Sequence, residues 1–135
     1  MSKIKVIVAG PRGKMGSEAL RMIAKQDNLE LVACIDHKNN GLKVNEIDGL
    51  PPFDALIYEN VEECFQSVSA DVLVDLTTPE VGYKHTKLAI NYGIRPVVGT
   101  TGFTKEQLEE LTDLAEEKGI GAVIAPNFAV GAVLM

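Results

Sequence analysis

Three glycines spaced by two residues carry the first chemical signal of this chain, in Gly10-Pro11-Arg12-Gly13-Lys14-Met15-Gly16. Glycine lets a backbone turn tightly and approach a pyrophosphate, and a helix that starts within such a loop aims its free N–H groups at that anion. Twenty residues beyond Gly16 stands Asp36, the offset at which an acid closing the next strand accepts hydrogen bonds from ribose hydroxyls. Amides for a pyrophosphate and a carboxylate for a sugar are together the chemistry of a dinucleotide. The spacing reads G-x-x-G-x-x-G, not the usual G-x-G-x-x-G. A glycine triplet alone is weak, and it gains meaning from the strand before it and the acid after it.

Other polar residues cluster near these. Arg12 and Lys14 put cations in the loop, where each side chain either meets the pyrophosphate or serves solubility, since backbone amides can suffice. Met15 reads as a core residue beneath the loop. His37 and Lys38 either neutralise the 2′-phosphate of NADPH or are ordinary loop residues. An acid at position 36 repels a 2′-phosphate, and an adjacent cation offsets that repulsion. NADH is therefore expected to bind at least as tightly as NADPH.

The elements that must hold these residues alternate. Apolar runs at 3–9, 30–36, 71–76, 95–99 and 120–125 lack polar alternation, as strands buried on both faces of a parallel sheet do. Between them, 14–26 carries an apolar helical stripe of Met15, Ala19, Leu20, Met22 and Ile23. The stretch 37–53 reads as a polar loop, followed by an extended piece at 54–58 and a short helix at 60–67. Thr77-Thr78-Pro79-Glu80 predicts a capped helix over 79–92, with Glu80 three residues after Thr77 and Gly93 as its stop. Thr104 with Gln107 forms a capping box for a helix that Gly119 ends. The fold class is α/β, a Rossmann-like doubly wound parallel sheet in a single domain. Ligands of such sheets lie beyond the carboxyl ends of the strands. That places Gly10–Gly16, Asp36–Lys38, Leu76–Thr78, Gly99–Gly102 and Ala125–Phe128 around one crevice.

Composition narrows the partners. The chain has 135 residues, 46 % of them hydrophobic, and a formal charge of −6, which disfavours a nucleic-acid backbone. No apolar run approaches the ~20 residues of a membrane span, and no signal-peptide core follows Met1. Cys34 and Cys64 read as reduced packing residues of a cytoplasmic protein. His37 and His85 lack Cys or His at ligand spacing, so no metal site is expected. His85, among polar neighbours, is expected on the surface. Asp75 ends an apolar strand and reads as a strand-end hydrogen-bonding group, buried near the crevice or not. Thr77 and Thr78 read as caps first and ligand neighbours second. Tyr58 and Tyr83 carry no assignable chemistry.

Four stretches together, Val8–Gly16, Asp75–Glu80, Val98–Phe103 and Ala125–Gly131, resemble the nucleotide-binding domain of bacterial dihydrodipicolinate reductases, over essentially all 135 residues. The resemblance implies reduction of 4-hydroxy-tetrahydrodipicolinate with NADH or NADPH, on the diaminopimelate route to lysine, by a homo-oligomer that is tetrameric in the complete enzymes. By the same resemblance Gly10, Pro11, Arg12, Gly13, Lys14 and Met15 hold the pyrophosphate. Asp36 meets the adenosine ribose, while Gly99, Thr100 and Thr101 meet the nicotinamide side. Ala125, Pro126, Asn127 and Phe128 lie under the nicotinamide at a domain junction.

The family continues into a substrate domain that supplies a His-rich proton-donor stretch and a Lys and a Ser/Gly/Thr segment for the substrate carboxylates. None of these occurs in the present sequence. The expectation is a truncated chain: a dinucleotide-binding domain at 1–126, then the start of a junction helix at 127–135 with Asn127 as N-cap. It holds a cofactor site, no catalytic residue, and no turnover of its own. Two other readings compete. One is the cofactor domain of another amino-acid-pathway dehydrogenase, acting on aspartate or homoserine; the other is a non-catalytic NAD(P)-binding module. The apolar tail from Phe128 argues against the latter, because it suggests a surface meant to be covered.

Overall fold

The computed structural model describes residues 3–99, 103–121 and 123–124. Strands and helices alternate as β1 (Ile4–Ala9), α1 (Lys14–Ala24), β2 (Leu29–Ile35), β3 (Leu56–Tyr58), α2 (Val61–Ser67), β4 (Val72–Asp75), α3 (Pro79–Asn91), β5 (Arg95–Val98), α4 (Lys105–Lys118) and β6 (Val123–Ile124). The strands pair in parallel in the order β3-β2-β1-β4-β5-β6. The chain thus starts at the centre, builds outward to β3, and returns to the far side of β1. That reversal between β1 and β4 is a topological switch point, where open α/β sheets leave a crevice.

The unbroken apolar runs split by the two-residue period of a strand. Val6 and Val8 pack with Leu20 and Ile23 of α1. Ile7 and Ala9 face the other way, toward Cys64 and Phe65 of α2 and Ala89 of α3. Leu111 and Ala115 of α4 close on Ile90 of α3. One irregularity interrupts the ladder: Val6 pairs with Leu31 but Ile7 with Ala33, so Val32 is an extra residue in β2.

Two glycines of the first loop are required by space. Gly10 has φ of +85°, in the left-handed region. A Cβ on Gly16 would lie 1.8 Å from the Gly10 carbonyl oxygen, so α1 packs against the turn that launches it only because position 16 is bare.

Several expectations need correction. Part of the 37–53 segment is ordered: a 3₁₀ turn at Val44–Glu46 buries Val44 completely, and Lys43 bridges antiparallel to Leu56. The cap of α3 is Thr78, whose Oγ accepts from the Val81 amide; Pro79 takes the first turn, and the Thr77–Glu80 box does not form. The box of α4 does form, with Thr104 and Gln107 exchanging bonds. His85 is not on the surface. It lies on the buried stripe of α3 with Gly82, Thr86, Ala89 and Ile90, a face whose helical period is hidden because two of its members are polar and one has no side chain. The last expected strand is described only at Val123–Ile124, and the junction helix at 127–135 lies outside the described residues.

Candidate functional site

Each loop at the carboxyl edge starts from a ladder bond that outlasts its strand. The Gly10 amide donates to the Ile35 carbonyl, Asp36 to Tyr58, Leu76 to Ala9 and Gly99 to Asp75, at 2.9–3.1 Å. Four loop entries are thereby fixed to the same sheet edge. A cavity of about 490 Å³ opens there, within the size range of small-molecule sites. Of the residues expected at a cofactor, Gly10, Arg12, Gly13, Asp36, His37 and Thr77 line it. Pro11 is buried under the loop, Met15 half-buried, and Lys14 and Lys38 exposed. Gly99 is buried at the end of β5. Thr100, Thr101, Ala125, Pro126, Asn127 and Phe128 lie outside the described residues.

Gly13, which lines the cavity, is the N-cap position of α1, with no side-chain cap and no acid in the helix's first turn. The helices α2, α3 and α4 are each capped by a side chain, from Asn60, Thr78 and Thr104. An uncapped start leaves first-turn amides without an intrahelical acceptor, and with the helix dipole they form an anion-binding end.

On the β2 side stands Asp36, only 7 % exposed. Arg12 grips it with two bonds, Nε to Oδ2 at 2.6 Å and a terminal nitrogen to Oδ1 at 2.9 Å, and the Lys38 amide donates to Oδ1 at 3.3 Å. His37 Nδ1 lies 3.4 Å from the same oxygen. Burial pushes the Asp36 carboxyl up, but the Arg12 and Lys38 hydrogen bonds and the Arg12 charge outweigh it and hold it below the ordinary carboxylate range. Sequence spacing placed the acid; it did not reveal that the loop arginine is its partner. The signal was present in their both ending segments that flank β1 and β2.

On the β4 side the fully buried Asp75 organises a second cluster. Its Oδ1 accepts from the Thr77 amide at 3.0 Å and from the Thr77 hydroxyl, and its Oδ2 lies 2.6 Å from His85 Nδ1. Strand period explains the position: Leu73 faces α3, so Asp75, two residues later, does too. His85 in turn lies one helical turn before Ala89, which packs on Leu73. Those two periodicities, read together, would have found the pair.

The cysteines are spent on packing. Both are buried and unbridged, and burial pushes the Cys64 thiol up to about 12 and Cys34 higher still. Among the described residues no group of three His, Cys, Asp or Glu is assembled for a metal, and no helix is long and apolar enough to cross a membrane.

Comparison with known proteins gives a consistent set of likenesses. Residues 4–128 match the family model described as dihydrodipicolinate reductase, N-terminus. A 4-hydroxy-tetrahydrodipicolinate reductase from Halalkalibacterium halodurans is 61 % identical over 132 residues, covering 98 % of this chain and 50 % of that protein. The solved dipicolinate-bound dihydrodipicolinate reductase from Paenisporosarcina sp. TG-14 superposes with a TM-score of 0.82 at 45 % identity, over 98 % of this chain and 50 % of that one. A homoserine dehydrogenase from S. aureus shares the fold alone, with a TM-score of 0.73 at 18 % identity over 92 % of this chain and 33 % of that one. The chain spans about half the length of the curated relatives it matches.

Proposed function

The chain belongs to the family of dihydrodipicolinate reductase N-terminal domains, and from that premise we propose that it binds NADH or NADPH across the carboxyl ends of β2, β1 and β4. In the whole protein this portion serves the reduction of 4-hydroxy-tetrahydrodipicolinate to tetrahydrodipicolinate, in a cytoplasmic homo-oligomer. The substrate site and proton source belong to the remaining half of the relatives' length, and these 135 residues alone do not turn over.

The residues present suit such a cofactor. At Gly10 and Gly13, which line the cavity, the chain has only backbone to present to it, as a pyrophosphate needs. When bound, the nicotinamide supplies hydride; everything else falls to the protein. Asp36 accepts from the adenosine ribose hydroxyls, with Arg12 holding its oxygens in place and keeping it ionised. First-turn amides of α1 take the pyrophosphate charge. Gly99, Thr100 and Thr101, with Ala125–Phe128, border the nicotinamide and substrate.

The observation that carries this reading is Asp36 standing buried on the rim of the same cavity that the uncapped helix opens into. The Arg12 pair also tempers coenzyme choice: it neutralises the acid, so a 2′-phosphate is disfavoured but not barred. Calorimetric titration with NADH and NADPH at fixed salt tests both points. NADH binds at least as tightly as NADPH, and Asp36→Ala weakens NADH about tenfold or more, the worth of hydrogen bonds to a charged acceptor. A tenfold preference for NADPH overturns the coenzyme assignment. A folded chain that binds neither overturns the site.

A further inference from the structure

The cavity has one polar lining residue that the cofactor reading leaves without a task. His85 lines it beside Thr77, Thr78 and Val81, although its side chain is only 11 % exposed. Its Nδ1 is taken by Asp75 at 2.6 Å, and its Nε2 has no hydrogen-bond partner among the described residues. Asp75 is fully buried and already accepts the Thr77 amide and hydroxyl. A carboxylate can only accept, so Nδ1 carries the proton in this pair, and Nε2 is the ring nitrogen left to meet a ligand. A fully buried carboxylate is a costly support for a histidine that has no further contact to make. It is a suitable one for fixing which ring nitrogen meets a ligand.

Position within the sheet says which part of a ligand that is. Asp36 ends β2 on one side of β1, and Asp75 ends β4 on the other. Two strand spacings, about 10 Å, separate those strands across the glycine loop. With the adenosine ribose at Asp36 and the pyrophosphate over α1, the chain of the cofactor runs on toward β4. We infer that His85 is a cofactor-binding residue whose Nε2 hydrogen-bonds a hydroxyl of the second ribose, on the nicotinamide side of the pyrophosphate. Asp75 is its positioning residue and Thr77 fixes Asp75. This rests on the proposed cofactor site and goes beyond it by assigning the β4 side.

Three probes separate the inference from its premise: ADP, which ends at the pyrophosphate; ADP-ribose, which adds the second sugar; and NADH. Only His37 and His85 are histidines, so imidazole nitrogen resonances can be followed individually. The free chain shows His85 protonated at Nδ1. NADH and ADP-ribose move the His85 Nε2 resonance, and ADP does not. His85→Asn keeps an amide donor near the Nδ1 position for Asp75 but removes Nε2. It weakens NADH and ADP-ribose about fivefold to tenfold, the worth of one hydrogen bond, and leaves ADP within about twofold. His85→Ala gives the same binding pattern with a lowered melting temperature. If all three probes bind the wild type and His85→Asn alike and the Nε2 resonance stays in place, the inference is wrong while the cofactor site stands. If a folded chain binds none of them, the cofactor reading fails and this falls with it.

Discussion

The Arg12–Asp36 contact bears on stability directly and, through the proposed ribose site, on affinity. The Asp36 carboxyl is held below its ordinary range, after burial is overcome, by Arg12 and the Lys38 amide. A folded value below the unfolded one means that the unfolded chain binds protons more readily as pH falls. The pair therefore contributes stability that is present above the unfolded pKa, near 3.9, and is lost as pH falls through the lower folded value. The Arg12 side chain is about one-third exposed, so solvent screening reduces its worth to about 1 kcal/mol. Arg12→Ala is expected to cost about that much in urea unfolding at pH 7, and the difference from the parent chain should close as pH falls through the lowered folded value of Asp36. A gap that stays constant through that range would mean packing of the arginine stem, not charge, is what the substitution removes. The same variant leaves Asp36 buried without its cation, so NADH binding should also weaken.

At the scale of the element, α1 is defined by its first loop. Gly16 and Gly13 look alike in sequence and differ in what surrounds them. A Cβ at 16 meets backbone at 1.8 Å, while at 13 the nearest atom lies at 3.7 Å, an ordinary contact. Gly16→Ala should cost at least the upper end of the about 1–3 kcal/mol of an overpacked site. Gly13→Ala should cost about 1 kcal/mol or less, since only N-cap preference is lost. Urea midpoints measured side by side decide this, and equal losses would refute the close packing of α1 on Gly10. The difference also marks what could be read in the sequence. Strand runs, capping residues and glycine stops are local signals, and they located most of the elements within a residue or two. The α3 face was not legible, because Gly82, His85 and Thr86 make a buried stripe that no hydrophobic pattern announces. Its polarity has a use only across space, at Asp75. Arg12 and Asp36 were each legible as candidates, but their pairing depends on how the β1 loop folds over the end of β2, 24 residues away in sequence. The 3₁₀ turn at Val44 is hidden for a different reason: Val44, Ile47, Leu50 and Phe53 recur every third residue, a spacing that matches neither strand alternation nor an α-helical stripe.

For the whole molecule, the loops that line the cavity follow β1, β2, β3 and β4, strands of one sheet. β1 pairs with β2 and with β4, and the Asp36 cluster stands at the end of β2 while the Asp75 cluster stands at the end of β4. A dinucleotide spanning both clusters would add contacts at the ends of β2 and β4 together. Binding to the folded state alone stabilises by about 2.7 kcal/mol at a ligand concentration one hundred times Kd. For a chain of this size that is a rise in Tm of about 10 °C. NADH should produce it; ADP at the same multiple of its own Kd should match it, because linkage depends on saturation and not on which contacts are made. At equal concentrations ADP should therefore give the smaller shift, by the contacts beyond the pyrophosphate. Asp36→Ala should shrink both shifts, whereas His85→Asn should shrink only that of NADH. With 4-hydroxy-tetrahydrodipicolinate added, NADH absorbance should stay constant, as the proposed placement of the substrate site and proton source in the other half of the relatives' length requires. Oxidation of NADH by this chain alone would show that a substrate site and a proton source lie within it, and would overturn the division of labour proposed for the two halves.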